Sequence, residues 1–390
     1  MTNKSILGLT GVVFTSMLAV SCGTSYEMYS PEETNLQALT RITDNTDNRF
    51  DSPFGGDNGK GLFFGVRDRR GSSNIYGKEN PTAAAMSPKT NGRNYFGAPT
   101  YCQATNQIAF VGVQEGAAVN DIFMMDATQG VAIRRLTNTP TEIEDWPCLS
   151  RDGRFIVFER CAVGAMNRDF QIWKQDLQSE SPTVLTQGRM PSYSHDGRYI
   201  VFVRYTPDGN NTCLVVMDVN GMGQTELTDA KMGYVTRPSF SPDDSKIIFQ
   251  CHKRDKRDAD LWVINRDGTG LTQLTFNKSQ DSEPYWATDG NVYFSSDRGG
   301  RAGNYQIWRF RYNGGTAPVI PPTPIIHQQE NQKMQREQPA NTGRTHTVQN
   351  GETLTQIARQ YGVTVADLIR WNNLTTMTIT PGMRLKVSAQ

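Results

Sequence analysis

Four histidines, at 195, 252, 327 and 346, are the first place to look for acid–base or metal chemistry in this 390-residue chain. None stands at a spacing that such chemistry needs. The chain has no His-Glu-x-x-His pair, no paired Cys-x-x-Cys and no Gly-x-Ser-x-Gly elbow. Cys251 and His252 are adjacent, and adjacent residues of a strand point to opposite faces, so they do not form a dyad. Asp-Gly pairs at 152, 196 and 289 offer carboxylates in series, but each falls at the same place in a hairpin, where turn chemistry accounts for both residues. The residues therefore predict no catalytic group, no metal site and no cofactor. Charged residues make up 20% of the chain and the formal net charge is +1, so no basic excess recommends nucleic acid as a partner.

The elements that carry these residues repeat. PSYSHDGRYIVFVR, from Pro191, is matched around Pro147, Pro238 and Pro284, and more weakly around Pro53 and Pro99. The six prolines are 46, 48, 44, 47 and 46 residues apart. Phe64, Phe110, Phe158, Phe202 and Phe249 each follow their proline by 11 residues, and Phe294 follows by 10. A period in the mid-forties built of short strands predicts a β-propeller with one four-stranded blade per repeat. Third strands are read at 122–126, 171–176, 214–218, 261–265 and 306–310, and fourth strands at Leu-Thr pairs beginning at Leu136, Leu185, Leu227 and Leu274. The last repeat lacks such a pair, whereas LQALTRIT (36–43) carries one before the first repeat. It is read as the outer strand of the sixth blade, closing the ring, with residues 316–320 competing for the place. The fold class is thus an all-β six-bladed propeller.

The repeats resemble the TolB-type propeller repeat, Pro-x-aromatic-Ser-Pro-Asp-Gly-x-x-Ile-x-Phe, over about residues 36–315. The resemblance is to the propeller alone and implies a fold, since propellers host binding, scaffolding and catalysis alike. Basic loops follow the second strands at 67–70, 252–257 and 297–301, and acidic segments enter the first strands at 142–145 and 281–283. In a propeller both sets lie on one face, where they either pair with each other or form a docking surface for a protein partner.

The chain begins with a basic Lys4 and an apolar run from Ile6 to Val20, too short to span a bilayer and ending at small residues: a secretory signal. Leu18-Ala19-Val20-Ser21-Cys22 resembles a bacterial lipobox, with its leucine four rather than three residues before the cysteine. The resemblance implies lipidation of Cys22 and, with Gly23 next, an outer-membrane lipoprotein on the periplasmic side. Residues 22–35 would be a tether. Five cysteines then remain, at 102, 148, 161, 213 and 251, in a compartment that permits disulfides. A Cys102–Cys148 bridge and five buried small apolar side chains are both open readings.

From residue 316 to 344 the chain turns Pro-, Gln- and Asn-rich without periodicity and reads as a linker. Residues 345–390 restore order. Thr353 and Gln356 form a capping box, Leu354, Ile357, Ala358 and Tyr361 share a helical face, and Gly362 ends it. Thr364 and Asp367 open a second helix, and Thr347-Val348 and Leu385–Val387 flank the pair as strands, giving β-α-α-β. The segments Gly351–Leu354, Tyr361–Val363, Trp371–Leu374 and Ile379–Gly382 resemble the signatures of a LysM domain. That resemblance implies binding of N-acetylglucosamine-containing glycan, peptidoglycan in bacteria. The groove would be Gly351, Glu352, Thr353 and Leu354 on one side and Asn373, Leu374, Thr378 and Ile379 on the other. Together these readings predict a non-enzymatic lipoprotein that binds peptidoglycan and an unidentified envelope protein. The alternative is a cell-wall-targeted enzyme with a catalytic propeller.

Overall fold

A computed structural model of the chain describes residues 33, 36–44, 48–92, 95–113, 119–128, 133–179, 181–253 and 258–312, and, near the C-terminus, 345–349, 352, 354–361, 363, 365–372, 374 and 379–388. The signal segment, Cys22, the linker and residues 316–320 lie outside the described residues. Among those described, no helix is long and apolar enough to cross a membrane.

Each recurring proline lies on the inner strand of an antiparallel meander: Arg49–Gly55, Tyr95–Cys102, Glu142–Leu149, Arg189–Tyr193, Tyr234–Phe240 and Asp281–Trp286. The second strands, Leu62–Arg67, Gln107–Val113, Phe155–Ala162, Tyr199–Tyr205, Lys246–His252 and Asn291–Ser296, carry the phenylalanines, all six with no exposed surface. The strands form four four-stranded sheets and one eight-stranded sheet, the latter being the first two meanders joined by a single parallel pairing of Ser73 with Tyr95. The inner strands touch one another in sequence, and the last touches the first, so the arrangement closes on itself. The core lies between neighbouring sheets. Val201 and Leu214 of one, for example, pack with Phe249 and Trp262 of the next.

The turn between first and second strands explains the Ser-x-Asp-Gly pattern. Ser150 Oγ donates to Asp152 at 2.6 Å and accepts the N–H of Phe155 at 2.9 Å, while Gly153 takes φ +70°. Ser194, Asp196 and Tyr199 repeat this with Gly197 at +72°, and Ser241, Asp243 and Lys246 repeat it with Asp244 at +58°. The recurring carboxylates are turn residues.

The Leu-Thr pairs act differently from the sequence reading. Only Leu185 lies within its outer strand (Pro182–Gln187); the other pairs stand just past the short strands Arg134–Arg135, Thr225–Glu226 and Thr272–Gln273. There the hydroxyls of Thr137, Thr228 and Thr275 accept the N–H of Ile122, Leu214 and Leu261 at 2.9 Å, taking over where the short ladder stops. Thr90 does the same for Ile75, and Thr43 for Ile307. Leu36–Arg41 runs antiparallel to Gln306–Tyr312, with Leu36 opposite Tyr312 and Arg41 opposite Trp308. The N-terminal strand thus completes the last sheet, and the threonine that takes over past its end is Thr43, of Ile42-Thr43, rather than Thr40, which pairs with Arg309 in the ladder.

The C-terminal module is β-α-α-β, as the sequence predicts. Thr345–Thr347 pairs with Arg384–Lys386, and the helices Leu354–Tyr361 and Val365–Asn372 pack on them around Ile357, Leu368 and Leu385.

Candidate functional site

In the C-terminal module, Gly351, Thr353, Asn373 and Thr378 of the predicted groove lie outside the described residues. Leu354 is 2% exposed, so its side chain serves the core. Leu374 and Ile379 are half-buried against the same core, and Leu374 N donates to Ile369 O at 3.0 Å past the end of the second helix. Glu352 braces the loop that enters the first helix. Its Oε2 accepts the Gln349 N–H at 2.7 Å and lies 2.7 Å from His346 Nε2, whose ring partner Nδ1 is 3.0 Å from the Tyr361 hydroxyl. The Gln349 N–H and His346 hold the Glu352 carboxyl below its ordinary range. Asn372 stitches the second helix to the final strand, bonding Lys386 N at 2.6 Å and Lys386 O at 2.9 Å. The predicted cap residues Thr353, Gly362 and Thr364 lie outside the described residues, and the sequence did not signal this His346–Glu352–Tyr361 brace, whose members are separated in the chain.

On the propeller, the structure gives the recurring proline a reason. In every inner strand the ladder slips at the proline, and the residue before it is left-handed: Ser52 (φ +49°), Ala98 (+46°), Trp146 (+49°), Met190 (+51°), Arg237 (+56°) and Glu283 (+57°). A proline has no N–H to leave unpaired at such a bulge on an edge strand. The prolines line a narrow axial space of about 80 Å³. Towards the hairpin turns it meets a wider cavity of about 280 Å³; Phe54, Cys148, Ser192, Ser239 and Tyr285 border both.

On the opposite face the acidic segments pair chiefly with arginines of the strands, and of the three basic loops 297–301 supplies a described ion pair to an acidic segment, Arg298 with Asp281. Arg189 holds Glu159 at 2.6 Å, Arg160 holds Glu144 at 3.0 Å, and Arg237 holds Glu283 while its guanidinium lies 4.0 Å from the Trp146 ring. Arg298, of the loop 297–301, is enclosed between Asp281 and Glu33, with Glu33 at 3.2 Å. Glu33 also accepts the N–H of Phe276, tying the segment before the N-terminal strand to the body. Residues 254–257 of the basic loop 252–257 lie outside the described residues. Burial raises the carboxyls of Asp51 and Asp145, helped by the neighbouring Glu283 and Glu159 respectively. Burial also raises Glu144 to about 7, against the pull of Thr139 and Arg160.

The five described cysteines are all free and buried, so the Cys102–Cys148 bridge is not formed. Burial pushes the Cys148 thiol up to about 11 and those of Cys213 and Cys251 up to about 12, which keeps them neutral. Among the described residues no three His, Cys, Asp or Glu side chains are grouped to hold a metal ion.

A family model described as the TolB beta propeller domain matches residues 166–336, and one described as the LysM domain matches residues 346–388. Over 47 residues the chain is 47% identical to the N-acetylmuramoyl-L-alanine amidase sle1 of Staphylococcus saprophyticus, a match that spans 12% of this chain and only 14% of that protein. A putative TolB from Agrobacterium tumefaciens superposes with a TM-score of 0.52 at 20% identity, over 70% of this chain and 96% of that one. A gluconolactonase from Xanthomonas campestris gives 0.51 at 10% identity, over 74% and 95%. Two neighbours so differently described have the fold in common and nothing further. The chain therefore joins a TolB-type β-propeller to a C-terminal LysM domain.

Proposed function

We propose that this chain is a non-enzymatic lipoprotein of the bacterial periplasm, held in the outer membrane through Cys22, that ties an envelope or secretion assembly to the cell wall. Its LysM domain points to peptidoglycan-type glycan as one ligand, and its propeller to an interaction role in the envelope. In this reading residues 1–21 are the signal peptide, 22–35 a tether, 36–315 a propeller of six blades, 316–344 the linker and 345–390 the wall-binding module. Glycan would sit between Gly351–Leu354 and Asn373, Leu374, Thr378 and Ile379, with the Leu354 side chain supporting the groove from the core. The protein partner would take a propeller face. The observation that carries the reading is the C-terminal LysM match, residues 346–388, on a β-α-α-β module with a core of its own.

The test is sedimentation with purified peptidoglycan. Removing residues 345–390 is expected to abolish co-sedimentation and to leave propeller folding and membrane attachment intact. The separate 345–390 piece is expected to pellet with the wall without cleaving it. If the truncated chain still pellets, the propeller or a partner carries wall binding. If the full chain cleaves the glycan, the enzymatic alternative takes over.

A further inference from the structure

The fourth residue after each recurring proline does not recur. In the last four repeats its neighbours do: a large apolar residue and a small one before it, an Asp and then a Gly or Asp after it. The position itself holds Asp57, Gln103, Arg151, His195, Pro242 and Thr288 in turn. The turn hydrogen bonds use the serine and aspartate on either side, which leaves this side chain free for other work. Asp57, Gln103, Arg151 and His195 all border the one cavity of about 280 Å³ at the hairpin end of the axis.

What these groups offer is specific. The Asp57 carboxylate is half-buried and accepts the Thr288 N–H at 2.7 Å and the Tyr285 hydroxyl at 3.0 Å, yet it has no cationic partner among the described residues. The Arg151 guanidinium is exposed and likewise makes no ion pair or hydrogen bond there. His195 Nε2 lies 3.1 Å from Trp286 O and 3.3 Å from Phe240 O. Carbonyls only accept, so the hydrogen-bond network assigns a proton to Nε2. Tyr193, 8% exposed and bordering the same cavity, has a buried phenol oxygen with no partner among the described residues. Phe54 and Tyr285, with ring centroids 4.1 Å apart, form an apolar wall.

We propose that this cavity binds a small zwitterion of amino-acid or dipeptide size, its carboxylate on Arg151 and its ammonium on Asp57. An anion alone would meet Asp57 without compensation, and a cation alone would meet Arg151; a ligand with both charges satisfies each unpaired group. The volume is at the low end of ligand pockets, which fits such a molecule and not a folded partner. The proposal concerns the propeller and is independent of wall binding by the LysM domain.

Calorimetry of the full chain with dialanine tests it. Wild-type protein is expected to bind dialanine, and to bind its N-acetylated form, which lacks the ammonium, about tenfold more weakly. Arg151→Gln is expected to weaken dialanine by about tenfold or more. In Asp57→Asn the preference for the free ammonium should vanish. Arg151 is exposed and unpaired, so its variant tests the idea even if Asp57→Asn, which loses support under Tyr285 and Thr288, fails to fold. Absence of dialanine binding at millimolar concentration overturns the proposal, as does equal binding by wild type and Arg151→Gln. Stem peptides released from peptidoglycan serve as the second probe: tighter binding than dialanine assigns the ligand to the wall, weaker binding to free solutes. Co-sedimentation with peptidoglycan should be unchanged in both variants, which separates this result from that of wall binding.

Discussion

Arg298 has no exposed surface and sits between two carboxylates, Asp281 and Glu33, that are themselves 0% and 2% exposed. Such a group is costly to remove because its partners stay behind as buried, uncompensated charges. Arg298→Ala is expected to lower the stability of the propeller by about 3–5 kcal/mol, measured by chemical denaturation, whereas breaking an exposed ion pair such as Arg198–Asp196 should cost far less. The carboxylates facing Arg160, Arg189 and Arg237 make a different point. Glu144 is raised by burial to about 7, above the roughly 4.3 of an unfolded glutamate, and Asp51 and Asp145 are raised too. Stability from a raised carboxyl is fully present below its unfolded value and lost as pH climbs through the folded one. The turn aspartates Asp152 and Asp243, held low by Ser150 and Ser241, lose theirs only in acid below the ordinary range. The melting temperature is therefore expected to fall between about pH 5 and pH 8, and Glu144→Gln to flatten that fall. A profile that rises over this interval would show that the ion pairs outweigh burial.

At the scale of the element, the inner strand departs most from ordinary β-structure. Each carries a non-glycine residue at φ between +46° and +57° ahead of its proline, and a left-handed L-residue costs roughly 1–2 kcal/mol. Packing around the axis imposes the conformation, and the residue type does not relieve it. Glycine should therefore be welcome there. Ala98→Gly is expected to be neutral or to stabilise by up to about 1 kcal/mol, although glycine in a strand usually costs about 0.5–1 kcal/mol relative to alanine. Ala109→Gly, on the adjoining second strand where φ is not positive, serves as the control and should destabilise. Equal losses at both sites would mean that the bulge carries no strain.

For the whole molecule, the decisive geometry is where the chain leaves the propeller. Leu36 of the closing strand lies directly opposite Tyr312, the last described residue before the linker. Both exits share one corner of the last sheet, so in the proposed tether a pull between membrane and wall acts on the end of that one ladder. In that proposal a flexible linker of the length of residues 316–344 would span on the order of 30 Å, and about 100 Å if stretched. A single shallow glycan groove held near the wall gains from effective concentration, so the anchored whole should hold better than either part. Cys22→Ala is expected to release the protein from the membrane fraction and to weaken its retention with the wall in intact envelopes. A variant that stays membrane-bound, together with a wild type that takes up no labelled fatty acid, would remove the lipid anchor from this picture.

The sequence by itself determined the local chemistry. Ser-x-Asp-Gly turns, apolar strands and the amphipathic helices of the last module are set by interactions within about a dozen residues, so their types and spacing were enough to read a propeller and a β-α-α-β module, the latter resembling a LysM domain. The prolines were visible too, but not the bulge and left-handed residue they accompany, because that conformation is imposed by sheets converging on an axis. Tertiary structure alone decided which strand closes the ring, which threonine hydroxyl takes over each short ladder, and that Glu33 meets Arg298 across 265 residues. It also brought Asp57, Gln103, Arg151 and His195 to one cavity. Each stands in an ordinary turn, and only the curvature of the closed ring turns four equivalent positions towards the same space.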